Sequence, residues 1–351
     1  MDLVRRQRTA KGDATATNTI EEDQVVNAAT AGDEAAFTQL VERYRGELQV
    51  HAYRMLGSLE DAQDALQEAF FRAWNGRATY RRQSTFRAWL YRITTNACLR
   101  ILERRPRRVA PYDVAPAAQV GARPQPPADL PWLQPYPDRL LDESPEPGDA
   151  VVARETIELA FLAAIQHLPP RQRAVLILRD ALDWSASETA AVLELSVAAV
   201  NSALQRARAT MKERLPAKRL EWATVADAEQ AERSLLRTYM EAWERHDESE
   251  LVALLREDVR LAMPPHPTWY EGREAVAAFL AGVAMKPGAE AHRLLPTRAN
   301  GQPAFGVYRG HGDDLKPFAI NVIAIESGLV ADMHFFKYPE LFPGFGLPDR
   351  L

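Results

Sequence analysis

Between residues 109 and 150 the chain carries ten of its 24 prolines, seven acids and only two arginines. Proline has no backbone N–H and clashes with the preceding helical turn, so no helix can run through this stretch. Its composition also denies it enough apolar surface to fold alone. The stretch therefore divides the 351 residues into parts that fold around separate cores, and a chain of this length suits two or three domains. We expect a semi-extended acidic linker at 109–150, with Trp132, Leu133 and Tyr136 of "LPWLQPYPDRLL" docking part of it on another surface.

The flanks read differently. Residues 1–26 are polar and expected to be flexible, without the apolar core of a signal peptide. Residues 27–108 are helix-periodic and nearly free of proline, as in "AAFTQLVERYRGELQVHAYRML" and "DAQDALQEAFFRAW". A second all-helical unit is expected at 151–215, then a connector at 216–226. From 227 to 351 helices come first and strands after, with Asn300-Gly301 and Ser327-Gly328 as turn signals, which predicts an α+β domain.

Net charge is −5, yet ten arginines and a single acid, Glu103, fall between Arg77 and Arg108. That is a basic patch within an acidic protein. The lone Cys98 excludes an internal disulfide, and no His/Cys cluster has the spacing of a metal site. The longest near-apolar run, "AVAAFLAGVAM", is too short to span a bilayer. A soluble cytoplasmic protein with no cofactor, no metal and no membrane association is expected, monomeric when free.

The sharpest local signal is "LPPRQRAVLILRDALDWSASETAAVLELSVAAVNSALQRARATM". Pro170 suits a first helical turn, and Ser185 with Glu188 matches a capping box for a helix at 186–193. Ser196 is placed to cap the next helix. There Val200, Ala203, Leu204, Ala207 and Met211 form an apolar stripe, and Asn201, Ser202, Gln205, Arg206, Arg208 and Lys212 form a polar face. Two short helices with a tight turn, the second polar outside, predict a DNA-binding helix-turn-helix.

These residues resemble region four of bacterial sigma factors, which reads the minus-35 promoter element. The resemblance implies Ser196 at the groove, Val197, Ala198, Asn201, Gln205 and Arg206 toward base edges, and Arg171, Arg208 and Lys212 on phosphates. "DAQDALQEAFFRAW" resembles sigma region two, whose helix docks on core RNA polymerase. The implied docking residues are Asp61, Asp64, Gln67, Glu68 and Arg72. "TYRRQSTFRAWLYRITTNACLRILERRPRR" resembles the part of that region that opens minus-10 DNA. It implies contacts from Tyr80, Arg81, Arg82, Phe86, Trp89, Asn96 and Arg100, with Trp89 also readable as core. Housekeeping members carry two adjacent tryptophans where this chain has Trp89-Leu90.

No segment resembles region three, so the chain resembles the extracytoplasmic-function (ECF) group, with the linker in channels that nucleic acid otherwise occupies. The order of elements after 227 is similar to the SnoaL-like, NTF2-like cone fold. The implied fold class is multidomain: two all-α sigma domains and a C-terminal α+β cone. His266, Trp269, Tyr270 and His334 are candidates for a cone pocket, but no acidic partner accompanies them, and no catalytic residue is expected. The implied partners are core RNA polymerase and promoter DNA, with the C-terminal domain binding a small molecule or touching the sigma domains through "NGQPAFGVYRG" and "FFKYPELFPGFGLP". A one-component regulator sensing a small molecule is the alternative. It has no use for "DALQEAFFRAW" followed by a basic aromatic helix.

Overall fold

The computed structural model describes residues 23–82, 84–141, 157–215, 228–286, 288–312 and 314–351. The first unit is built on α1 (Glu34–Leu56), α2 (Leu59–Gly76) and α3 (Phe86–Arg104), which pack pairwise on one another. Each begins at a side-chain cap: Asp33, Ser58 and Thr85 accept from the backbone N–H groups of Ala36, Asp61 and Ala88. Residues 23–31 are already helical and Val26 is buried against this bundle, so the folded part starts before the expected 27. Residues 1–22 of the expected flexible terminus lie outside the described residues.

Gly57 ends α1 in the left-handed conformation, with φ 67°. A Cβ there would also stand 2.8 Å from Leu133 Cδ1, so the turn must be glycine for two reasons.

The second unit holds α4 (Leu159–Gln166), α5 (Pro170–Leu176), α6 (Ala186–Leu193) and α7 (Val197–Arg214). The expected capping box at Ser185 and Glu188 is present, and Ser196 Oγ accepts from Ala199 N. Between α6 and α7, Glu194 takes φ 55°, giving the tight turn. The expected connector at 216–226 lies outside the described residues, as do 142–156.

In the third unit α8 (Ala228–Arg245) and α9 (Glu248–Ala253) precede β1 (Leu255–Ala262), β2 (Trp269–Glu271), α10 (Arg273–Phe279), β3 (Ala291–Ala299), β4 (Gln302–His311), β5 (Asp314–Glu326) and β6 (Leu329–Phe336). The strands form one sheet in the order β2-β1-β6-β5-β4-β3, antiparallel except for β1 beside β6. Strand β2 was not anticipated, because its three residues sit in a segment that reads as a proline-rich turn.

Alternation along the strands gives the sheet two buried faces. Phe305, Val307, Ala319, Ile323, Met333 and Phe335 face inward with Tyr239 and Trp243 of α8. Ala304, Tyr308, Ile320, Val322 and Phe336 face outward and join one continuous core with both helical units. Phe342 and Phe345 of the C-terminal tail belong to that outer core, Phe342 standing edge-on to Tyr308 at 5.2 Å. The sheet is thus buried on both sides, one face within its own domain and one against the helices.

Candidate functional site

The first surface is α2. Asp64, Gln67, Glu68, Phe71 and Arg72 are exposed along one face, with Glu68 and Arg72 paired to each other. Asp61 is the exception. It is 3% exposed and ion-paired to both Arg105 and Arg108, so in this arrangement it is withdrawn from the face. Its position in the first turn of α2 aims it back at the α3 C-terminus and the start of the linker. Phe71 was not singled out from sequence, yet it is 64% exposed, the most exposed large apolar side chain among the described residues. Its signal was the Phe70-Phe71 pair, since adjacent helical positions cannot both face one core.

The second surface is α3 with the segment before it. Phe86 and Trp89 are buried, and Tyr80 lies between them with ring centroids 5.5 and 5.4 Å away. In this arrangement the two rings form a small core with Tyr80 at the start of α3, which for Trp89 is the alternative that its helix spacing with Ile93 left open. Arg81 and Arg82 are exposed, Arg82 hydrogen-bonding Asn27. Asn96 and Arg100 are half-buried on the outward side of α3, with Arg100 Nε donating to the Asn96 carbonyl at 3.1 Å.

On the third surface, Ser196, Val197, Ala198, Asn201, Gln205, Arg206, Arg208 and Lys212 are all exposed, and so is Arg171. Arg206 donates to Ser202 at 2.6 Å, and Arg208 makes a bidentate pair with Asp180 at 2.9 and 2.7 Å. The neighbouring Arg173, not singled out from sequence, is buried. It donates to Met55 O at the end of α1 and to Gln166 Oε1 at 2.7 Å, tying the second unit to the first. Burial pushes its guanidinium down to about 10, still protonated at neutral pH.

The second and third surfaces are not independent here. Helix α6 packs on α3, Tyr91 and Arg87 pack against Trp184, and Arg92 meets Glu194 at 3.6 Å. The linker completes the closure. Gln134 links to Gly57, Ser58 and Tyr53; Tyr136 N donates to Asn300 Oδ1 at 2.8 Å; and Gly301 N donates to Asp138. Arg139 reaches the tail at the Gly344 carbonyl, 2.6 Å away. Of the two segments expected to touch the sigma domains, the Asn300-Gly301 turn bonds to Tyr53 of the first unit, and the tail bonds to Arg139 of the linker.

The four candidate pocket residues gather elsewhere than expected. Trp269 Nε1, Tyr270 Oη and His266 Nδ1 bond to the linker carbonyls of Ala115, Ala122 and Gln125. His334 is on the outward face of β6, beside Tyr112, Leu159 and Phe336. None of them lines the large cavity of the cone, because the linker covers the β2 side and strand alternation turns His334 away from the interior. That cavity, of about 390 Å³, is lined by other residues, among them Trp243, Phe279, Val307, Arg309, Phe335 and Lys337.

Three family models match the chain in the order of its units: Sigma-70 region 2 at residues 40–108, Sigma-70, region 4 at 158–211, and a SnoaL-like domain at 236–333. The chain is 41% identical over 325 residues to the ECF RNA polymerase sigma factor SigG of Mycobacterium tuberculosis, covering 91% of this chain and 85% of that relative. The chain belongs to the ECF sigma factors. Its SnoaL-like domain sets it apart from a shorter relative such as SigW of Bacillus subtilis, 30% identical over 52% of this chain and 91% of that one. The crystal structure of the M. tuberculosis extracytoplasmic function sigma factor SigJ shares the fold, with TM-score 0.57 at 23% identity over 89% of this chain and all of that one. In this sigma factor the α+β unit is therefore a SnoaL-like domain on two sigma modules, and no helix among the described residues is long and apolar enough to cross a membrane.

Proposed function

We propose that this sigma factor binds core RNA polymerase through the α2 face of Asp64, Gln67, Glu68, Phe71 and Arg72, and that its SnoaL-like domain holds the free chain closed. Phe71 is the apolar centre of that face and the charged residues its rim, the usual anatomy of a specific contact. On DNA, α7 enters the minus-35 major groove with Asn201, Gln205 and Arg206, while Asn96, Arg100 and the arginines of 81–82 hold the minus-10 strand.

The observation that carries the reading of closure is the contact of α6 with α3. The two promoter elements lie about 25 base pairs apart, roughly 85 Å of duplex at about 3.4 Å per base pair. Modules that touch each other cannot span that distance, so they separate before both elements are read. The linker and the Asn300-Gly301 turn bridge the modules and oppose separation. Being tethered, the SnoaL-like domain keeps a high effective concentration at this site without a second protein.

Reversing charge at Asp64 and Glu68 together tests the docking face. The double lysine variant is expected to fold normally and to be lost from immobilised core polymerase. Unchanged capture would remove the assignment.

A further inference from the structure

The cone cavity has a divided lining. Trp243, Met263, Phe279, Val307 and Phe335 give it an apolar interior, and Lys286, Arg309 and Lys337 bring three basic side chains to it against one carboxylate, Glu290. That carboxylate is already engaged: its Oε2 is 2.7 Å from Arg309 Nε. Among the described residues no carboxylate lies within ion-pair distance of Lys286 or Lys337.

Arg309 and Lys337 crowd over the same ring, with the Arg309 guanidinium carbon 4.0 Å and Lys337 Nζ 5.3 Å from the Phe318 centroid. The ring face offsets part of this repulsion. Lys337 is half-buried, which is costly for a charge, and an anion beside it offsets that cost. Trp243, buried in the wall of the cavity, contributes its ring to the apolar lining. His292 adds no charge, because burial, with help from His246 and Arg309, pushes it down to about 4.

We propose that the cavity binds a small organic carboxylate whose apolar body lies on Trp243, Phe279, Val307 and Phe335 and whose carboxylate is held by Lys337 and Arg309. A volume of about 390 Å³ falls in the range of small-molecule sites, and an apolar wall with a few convergent polar groups is their usual construction. A neutral apolar molecule leaves Lys337 without a counter-charge, and a cation adds to the positive lining, so the charge selects the ligand class. The proposal rests on the cavity and its charges. It stands whether or not the domain restrains the sigma modules. Its position still matters for that reading, because His292 on β3 and Arg309 on β4 lie on the two strands whose connecting turn carries Asn300.

The test is calorimetric titration of the full chain with 2-naphthoate and with decanoate, and with 2-naphthalenemethanol as the uncharged counterpart of the former. One equivalent of at least one carboxylate is expected to bind saturably. The alcohol is expected to bind at least about tenfold more weakly than 2-naphthoate, the size of a hydrogen bond to a charged group. Lys337→Met should weaken carboxylate binding by a similar factor without changing alcohol binding, and Lys337→Arg should restore it. Lys286→Met, at the exposed rim, provides a second charge deletion should Lys337→Met fail to fold. Equal affinity for acid and alcohol, carboxylate binding indifferent to both charge deletions, or no saturable binding of either acid overturns the proposal. None of these outcomes bears on polymerase capture by the α2 face.

Discussion

Asn300 Nδ2 donates to Tyr53 Oη across 2.9 Å, joining the turn of a strand pair in the SnoaL-like domain to the core of the first sigma module. The same amide nitrogen donates to Ile157 O at 2.7 Å, and Asn300 Oδ1 accepts from Tyr136 N. One side chain thus bonds to both sigma modules' edges and the linker. Its backbone φ of 58°, followed by Gly301 at 70°, is the two-residue turn that Asn-Gly favours. All three bonds are buried, and burial raises the Tyr53 hydroxyl far above its ordinary range, so it stays a neutral partner.

Replacing Asn300 by alanine leaves Tyr136 N and Ile157 O without their partner in the interior, while Tyr53 Oη keeps its bond to the Gln134 carbonyl. Each buried polar group left unpaired costs about 1 to 3 kcal/mol. The expected result is faster native-state amide exchange at Tyr136, by at least about tenfold, with the sheet interior still protected. Equal exchange in the two proteins would show that the turn contributes nothing to docking.

Two residues on one helix should separate stability from DNA chemistry. Phe86→Ala removes a buried ring from the core under the 77–85 segment and is expected to cost about 3 to 5 kcal/mol in urea unfolding. Asn96→Ala, half-buried and outward, should change stability by no more than about 0.5 kcal/mol while impairing strand opening, read by permanganate reactivity of unpaired thymines. If the Asn96 variant opens promoters normally, α3 holds the strand through other residues.

Arg206→Ala is expected to weaken binding to the cognate minus-35 duplex by about 1 to 3 kcal/mol and to relax discrimination there. Arg208→Ala, whose partner in the free chain is Asp180, should instead lower affinity for all sequences alike. Competition binding with single-base variants of the duplex distinguishes the two. Equivalent losses across all sequences for both variants would reassign Arg206 to the backbone.

Ligand binding in the cone should depend on pH through Lys337. Burial, with Arg309 adding to it, pushes this ammonium down to about 8. Arg309, Lys286, Glu290, His292, His311 and His266 are the charged and titratable groups around it. A bound carboxylate raises the Lys337 pKa, so affinity is full below pH 8 and falls as pH rises through 8. Titrations with 2-naphthoate at pH 7 and pH 9 should therefore differ, the tighter at pH 7, and the difference should shrink in Lys337→Arg. Flat affinity over this range would show that Lys337 does not hold the anion.

Much of this arrangement could be read before any coordinates. Capping residues announced the helix starts, and the 186–193 helix with Ser196 beyond it follows from local rules alone. Asn300-Gly301 announced a turn for the same reason. Burial of polar residues was harder to read, because it depends on partners remote in sequence. Arg171 and Arg173 are two positions apart in "PPRQR", and only the docking of α5 on the end of α1 decides that the second is buried. Asp61 belongs to the docking helix by pattern but meets arginines 44 and 47 residues away. That His266, Trp269 and Tyr270 lie under the linker was hidden for a related reason: a histidine and aromatic cluster looks like a site, whereas the linker that covers it comes from another part of the chain. Lys337 and Arg309 carried no motif, and only the pairing of β4, β5 and β6 brings them together at Phe318.

The account as a whole requires that the sigma modules touch in the free chain and part on polymerase. Cys98 is buried and its thiol is pushed up to about 12, so labels can be placed on introduced cysteines without removing it. Exposed Gln39 on α1 and Ser202 on α7 are suitable positions, and pulsed electron spin measurements between Gln39→Cys and Ser202→Cys report the separation directly. The prediction is a single narrow distance in the free chain, a broader distribution when Asn300→Ala is added, and a longer distance on core polymerase. The same narrow distance in the free and the polymerase-bound chain would contradict it.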